Sequence, residues 1–403
     1  MLLLSYAAIL LVAVLVSALA HRTILSTAAL FLTAGFVLGS GVLDVIDLRP
    51  DDPIVSGLAT YALFAVLFTD GMRVGWPDLR AAWRLPGRAL GLGLPLTLVI
   101  TAVLAHYLTG LDWVESLLIG AVLSPTDPVF ASAIVGNDKV PGRLRHLLNV
   151  ESGVNDGLVL PVVIVLLGLA SGSEGQLGHV LAELAGGVAI GVVVPYLAVK
   201  VEATRFFRAW GPYEALNAVA IGLLVLTLAQ ATHANLFLAA FAAGITIATV
   251  GQPQRESFEE FGELVAELLK LAALLVFGAL LTPAFLGEIP LGGWVFAVLA
   301  IVLARPLALV IALARSHLTP REVAAAAWFG PKGFASVVYG LLVLDYALAE
   351  RDQIFHLVGI TVALSILLHA SSDVVVARSF DDPGETPDFQ GEAPRPNGTG
   401  SPA

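Results

Sequence analysis

The chain has 403 residues, of which 57% are hydrophobic and 13% charged, and its mean hydropathy is +0.87. Soluble domains carry about 25% charged residues, so composition excludes a soluble domain and indicates a polytopic membrane protein. The net charge of −11 says little about partners because an acidic C-terminal tail contributes to it, and the lack of cysteine excludes disulfides and thiolate metal sites.

The first apolar run, Met1 to Ala20, has no basic n-region and no small-residue cleavage site, so it reads as a first membrane helix and not a signal peptide. Apolar windows of spanning length follow in order. They fall near 2–20, 23–41, 54–70, 86–110, 113–136, 146–170, 177–199, 213–232, 234–250, 261–285, 290–314, 321–346 and 353–376. The expected fold class is therefore an all-α integral membrane protein of about 13 transmembrane helices over residues 1–376. Residues 377–403, polar and rich in Pro and Gly, are expected to be a disordered cytoplasmic tail. With the N-terminus outside, 16 of the 21 Lys and Arg residues fall in inner loops or the tail, and only Arg49 and Arg351 lie in outer loops. That split follows the positive-inside rule and suits an odd number of spans.

Two spans carry breaks. In the fifth, LSPTDPVFAS (123–132) sets Asp127 between Pro125 and Pro128. Pro125 removes the N–H that would bond the Ala121 carbonyl, and Pro128 does the same to Ser124. Ser124 and Asp127 each precede a proline, which biases them away from helical angles. Unwinding over Ser124–Pro128 should free carbonyls, which are tolerated at membrane depth only when buried in protein or lining a cavity. In the twelfth span, Gly330-Pro331-Lys332-Gly333 is a second break. FASAIVG (130–136) and FASVVYG (334–340) follow the two breaks, seven spans apart. This is the pattern of an inverted-topology repeat with crossed broken helices. Such crossing would bring carbonyls, Asp127 and Lys332 together near the midplane. A simple proline kink would not need an aspartate, and acids within membrane spans are rare and usually functional.

The sixth span supplies NVESGVNDG (149–157). Glu151 and Asn155 share one face, and Ser152 and Asp156 another. With Thr126, Asp127 and freed carbonyls, Ser152 and Asp156 would make an all-oxygen cage, the donor set that hard cations prefer. Asn155 would hold Glu151 or the broken strand. A polar patch gluing helices explains Ser152 and Asn155 but not three acids on two adjacent spans. Arg305, deep in the eleventh span, needs an anion, for which Glu151 is the candidate. Asp70, closing the third span, either faces the site or caps its helix. In the tenth span Glu263, Glu267 and Lys270 share a face, and Glu267 and Lys270 are expected to pair with each other. The eight histidines lie near span ends without ligand spacing.

T-D-P in the fifth span, E-S-x-x-N-D in the sixth, the acid-Gly of Asp70-Gly71 and the deep Arg305-Pro306 together resemble the monovalent cation/proton antiporter 1 family. That family includes the prokaryotic electroneutral sodium/proton antiporters and the animal sodium/proton exchangers. The resemblance covers essentially all thirteen spans. It implies that Asp127 and Asp156 bind cation and proton in alternation, with Thr126 and Ser152 as further ligands. It also implies that Glu151, Asn155 and Arg305 organise the site, and that the protein is a homodimer in the cell membrane. Two departures stand out. The third-span acid is Asp70 where the family usually has glutamate. The twelfth-span break reads G-P-K-G where G-L-R-G is common, so Lys332 is a point charge in place of a planar fork.

A carboxyl taken out of water without a cation beside it favours its neutral form, so cation and proton would compete for one site. If only the filled site crosses, the two fluxes are coupled. The resemblance further implies a stoichiometry: the family's electrogenic relatives carry two adjacent acids where this chain has Asn155-Asp156, and an amide cannot titrate, so exchange should be one-for-one and electroneutral, with Na+ or Li+ as the expected cation. No enzyme activity, cofactor or nucleic-acid partner is implied; the lipid bilayer is the surrounding medium. The competing readings are a potassium/proton antiporter, a passive cation channel and an intramembrane aspartyl hydrolase. The last lacks its usual G-x-G-D signature here.

Overall fold

The structure, a computed structural model, describes residues 1–20, 26–75, 84–127, 140–172, 177–204, 207, 213–378 and 380. Among them helices account for all extended regular structure; one isolated bridge joins Gly39 and Ile46. Inside a bilayer this is the economical solution, because a helix satisfies its own backbone groups. The helices are α1 (Leu2–Ala20), α2 (Thr27–Leu38), α3 (Pro53–Arg73), α4 (Leu85–Thr109) and α5 (Trp113–Val122). They continue with α6 (Gly142–Ala170), α7 (Leu177–Glu202), α8 (Tyr213–Ala231), α9 (Leu236–Val250) and α10 (Gln252–Leu280). The last are α11 (Leu291–Ala312), α12 (Pro320–Trp328), α13 (Phe334–Asp345) and α14 (Arg351–Arg378). Six of these, α3, α4, α6, α7, α11 and α14, contain stretches long and apolar enough to cross a membrane. The FASAIVG stretch lies outside the described residues, as does most of the expected tail.

Local chemistry explains several ends. The Asp112 carboxylate accepts the Glu115 N–H at 2.9 Å, and Glu115 reaches back to the Asp112 N–H, a capping box that starts α5. Thr319 and Glu322 form the same device at α12, with Pro320 in the first turn. Gly110, at φ 78°, closes α4 in the left-handed conformation that glycine adopts without strain. The tenth span differs from its sequence window of 261–285. α10 starts at Gln252 and stops at Leu280, and a separate short helix, Pro283–Glu288, follows. A hydropathy window marks lipid-compatible residues and not helical extent, so it misses the polar first turns and the stop before Pro283.

The helices pack in two groups. α2, α3, α7, α8, α9 and α10 lie mainly against one another, whereas α4, α5 and α11 to α14 form the second set. α6 touches both. In the first group α3 and α9 cross at reciprocal glycines. A Cβ on Gly71 would stand 2.5 Å from the Phe241 carbonyl oxygen, and one on Gly244 would stand 2.3 Å from that of Phe68. Small residues at a crossing let backbones approach, which is how membrane helices gain packing when lipid is as apolar as leucine.

Candidate ion-binding site

α5 stops at Val122, three residues before Pro125. The Ala121 carbonyl, which loses its helical donor to Pro125, is taken up by the Ser124 N–H at 3.2 Å and the Ser124 hydroxyl at 2.9 Å. The Val122 carbonyl accepts the Ser336 hydroxyl of α13 at 2.7 Å. This corrects the expectation that the break leaves the Ala121 carbonyl free: a buried orphan acceptor is costly, and the local serine removes it.

The second break lies between α12 and α13. Three carbonyls at or just before it are also satisfied. The Arg305 guanidinium donates to Phe329 O at 3.1 Å, His369 Nε2 lies 3.0 Å from Trp328 O, and the Asp127 N–H donates to Pro331 O at 3.0 Å. The last bond joins the two extended stretches directly. The Phe334 N–H, at the start of α13, points at Asp127 Oδ2 from 3.4 Å. Gly333 is required at this contact, since a Cβ there would sit 2.1 Å from the Asp127 Cβ. Gly330 lies as close to Arg305, where a Cβ would fall 1.6 Å from Nε.

Around this junction the structure gathers the sequence-predicted residues. Thr126, Asp127, Glu151, Ser152, Asn155, Asp156, Arg305, Lys332 and Asp70 are all buried. The Thr126 hydroxyl lies 3.1 Å from the Ser152 hydroxyl and accepts the Asn155 amide N–H at 2.8 Å. Asn155 thus holds the broken stretch and not Glu151. Glu151 is gripped by Arg305 through two bonds of 2.6 and 3.1 Å. Asp156 sits one residue further along α6. Its backbone carbonyl accepts the Tyr339 hydroxyl at 2.9 Å. Among the described residues its carboxylate has no hydrogen-bond or ion-pair partner, although it is only 7% exposed. It lies within electrostatic reach of Asp70, Asp127 and Lys270.

Three expectations need correcting. Lys332 does not join Asp127. It is 1% exposed, its ammonium has no hydrogen-bond partner among the described residues, and the charges that act on it are those of Arg305 and Glu151. Its backbone N–H is held by Ser365 at 2.8 Å. The cation beside Asp127 is instead Lys270 of α10, 3.9 Å from Oδ1. Lys270 also pairs with Glu267 at 3.1 Å, so the expected i,i+3 pair exists but is not its whole role. Finally, His369 is buried, with Nδ1 2.8 Å from Ser365 O, and ties α14 to the end of α12. It is therefore a packed, buried histidine and does not lie at a span end as expected from the sequence. Asp70 is salt-bridged to Arg73 at 3.2 Å, and Arg73 reaches on to Glu263 at 3.1 Å.

The chemistry available is that of two buried carboxylates, Asp127 and Asp156, beside two hydroxyls and an amide. All donors are oxygen or the fixed amide, as a hard monovalent cation requires.

The profile of the transmembrane sodium/hydrogen exchanger family matches residues 8–376. Among individual proteins, the chain is 30% identical over 349 residues to the Na(+)/H(+) antiporter NhaP of Pseudomonas aeruginosa, covering 78% of this chain and 79% of that one. It is 26% identical over 325 residues to the K(+)/H(+) antiporter NhaP of Alkalimonas amylolytica. That match covers 80% of this chain but only 57% of the relative. The solved structure of the sodium proton antiporter MjNhaP1 from Methanocaldococcus jannaschii superposes with a TM-score of 0.76 over 94% of this chain and 97% of that one, at 19% identity. It shares the fold.

Proposed function

The chain belongs to the sodium/hydrogen exchanger family, and on that footing we propose that it is a secondary antiporter exchanging a monovalent cation for a proton at Asp127 and Asp156. The observation that carries this reading is the buried Asp156 carboxylate, which has no partner among the described residues. An isolated charge at such depth is expensive. It is tolerable only with a proton on it or a cation beside it, so the two cargoes exclude each other. Thr126 and Ser152 supply further oxygens, and Asn155 and the Glu151–Arg305 pair hold them in place. The thirteen spans, with crossed breaks in the fifth and twelfth, give a site reachable from alternate sides. The group containing α4, α5 and α11 to α14 moves against the group containing α2, α3 and α7 to α10. The N-terminus lies outside, the protein sits in the cell membrane as a homodimer, and exchange is electroneutral because Asn155 carries no proton.

Na+ or Li+ is the favoured cation, supported by the 30% identical Na(+)/H(+) relative. Potassium is the second reading, supported by the K(+)/H(+) relative. Everted vesicles loaded with a pH-sensitive dye test both. The wild type should dequench on cation addition, Asp156→Asn should not, and the most effective of Na+, Li+ and K+ names the substrate. A wild type silent with every cation would leave a channel or another solute as the better reading.

A further inference from the structure

Lys270 supplies no ligand to the cargo, yet it is buried, 6% exposed, and its ammonium stands between two acids of different kinds. Glu267, 3.1 Å away, is on the same helix and partly exposed. Asp127, 3.9 Å away, follows α5 and is bonded through its backbone to Pro331. α10 packs mainly on α2, α3 and α8 and only lightly on α13, whereas the elements carrying Asp127 and Pro331 belong to the second group. The Lys270–Asp127 contact therefore crosses from one helix group to the other. Among the described residues, three other ion pairs with a buried member do not: Arg73–Asp70 stays within the first group, and Arg305–Glu151 and Arg143–Glu322 join the second group to α6.

We propose that Lys270 is a coupling latch: its ammonium holds the empty carrier by Asp127 across the two helix groups and lets go only when cargo takes Asp127. This rests on the antiport reading above. The physical requirement behind it is general. An exchanger must forbid the return of its empty site, or the cation leaks downhill without moving a proton. A tethered ammonium meets the requirement because it competes with the cargo for the same carboxylate. A cation seated at Asp127 displaces it by like-charge repulsion, and a proton on Asp127 removes the charge that attracts it. Glu267 gives the displaced ammonium a partner on its own helix, so release does not strand a buried cation, which would be costly. Asp70, within electrostatic reach of Lys270, adds to the negative field on the same side. The latch needs a cation on a flexible stem that can swing between Asp127 and Glu267, which lysine supplies.

The test uses purified full-length protein in liposomes, with uptake of the preferred cation and internal pH recorded together. Wild type should show tight coupling and no response to a membrane potential set by a permeant-anion gradient. Lys270→Met and Lys270→Gln should still be stabilised by the cation in a thermal-shift assay. Their ratio of protons to cations moved should fall by roughly half or more, because the empty site now returns, and cation uptake should become driven by the potential. Lys270→Arg should keep much of the coupling. Glu267→Gln should keep the ratio and slow the rate, since the displaced ammonium loses its resting partner. If Lys270→Met and Lys270→Gln transport with the wild-type ratio and no potential dependence, the latch is overturned. If both bind the cation but neither transports, Lys270 is needed for movement itself and the latch is again overturned. A wild type that exchanges no cation for protons defeats the antiport reading instead, a result the coupling ratio is not needed to recognise.

Discussion

Two buried carboxylates on α6, Glu151 and Asp156, are separated by little more than one helical turn and are treated in opposite ways. Glu151 is gripped by both terminal nitrogens of Arg305, at 2.6 and 3.1 Å. Asp156 has no partner for its carboxylate among the described residues. Burial is nearly the same for both, so desolvation does not distinguish them. What distinguishes them is whether the protein itself supplies the counter-charge. Where it does, the acid is scaffold. Where it does not, the vacancy in the electrostatics is where a cargo fits.

The contrast is broken most severely by removing the partner that Asp156 lacks and Glu151 has. Arg305→Met strands Glu151 as a charge in apolar surroundings and also releases the Phe329 carbonyl. Breaking one side of a buried pair costs about 3–5 kcal/mol, so both folding yield and exchange should be lost, read by size-exclusion in detergent and by dye dequenching. Adding Glu151→Leu to Arg305→Met should recover much of the thermal stability, since replacing both members by apolar residues is often neutral. It should not recover transport if the pair also positions the break. The same removal at the other acid, Asp156→Asn, should leave folding intact and abolish exchange. Equal loss of folding in both single variants would show that the two acids are alike after all.

A smaller effect is expected where the backbone and not a charge separates the two environments. Gly333→Ala places a methyl 2.1 Å from the Asp127 Cβ, so either the α13 start or the Asp127 stretch must shift. Overpacking of this kind costs about 1–3 kcal/mol. Because the displaced element carries Asp127, the exchange rate should fall by about tenfold or more, while Glu151 and Arg305 stay paired. A rate within twofold of wild type would mean that the Asp127 position is not set by this contact.

How much of this arrangement could be read in the sequence depends on whether the cause was local. Pro125 and the acid at 127 announce an unwound stretch, and E-S-x-x-N-D places acids and hydroxyls on definite faces of one helix. For Arg305 the sequence shows that a deep cation needs a deep anion, which makes Glu151 a candidate, although charge alone does not choose it over Asp127 or Asp156. Lys270 was read only halfway, because an i,i+3 reading sees Glu267 on the same helix and nothing on another. Lys332 was misplaced by its proximity in sequence to Gly333, since adjacent residues in an extended stretch point to opposite sides. The fate of the Ala121 carbonyl is legible in principle. A serine one residue before the proline is a local donor to the carbonyl three residues back, but from sequence Ser124 is weighed only as a residue biased away from helix by Pro125.

The finest version of the comparison lies within the site, at Thr126. Its single hydroxyl meets Ser152 at 3.1 Å and the Asn155 amide at 2.8 Å, so it is partnered like scaffold, yet it stands beside Asp127 like a ligand. The two roles separate by substitution. Thr126→Val keeps the shape and deletes the hydroxyl, leaving the buried Asn155 amide without its acceptor at a cost of about 1–3 kcal/mol. Thr126→Ser restores the hydroxyl and drops only the methyl. A hydroxyl that ligates the cation directly should raise the half-maximal cation concentration by about tenfold in Thr126→Val, equivalent to about 1.4 kcal/mol. The proton side of the cycle should change little, because a proton needs no second ligand. A hydroxyl that only props Asn155 should lower the maximal rate for both cargoes together and leave the cation concentration dependence where it was. Thr126→Ser should behave as wild type in either case, so failure of serine to rescue would shift the weight from the oxygen to the methyl and remove Thr126 from the ligand set.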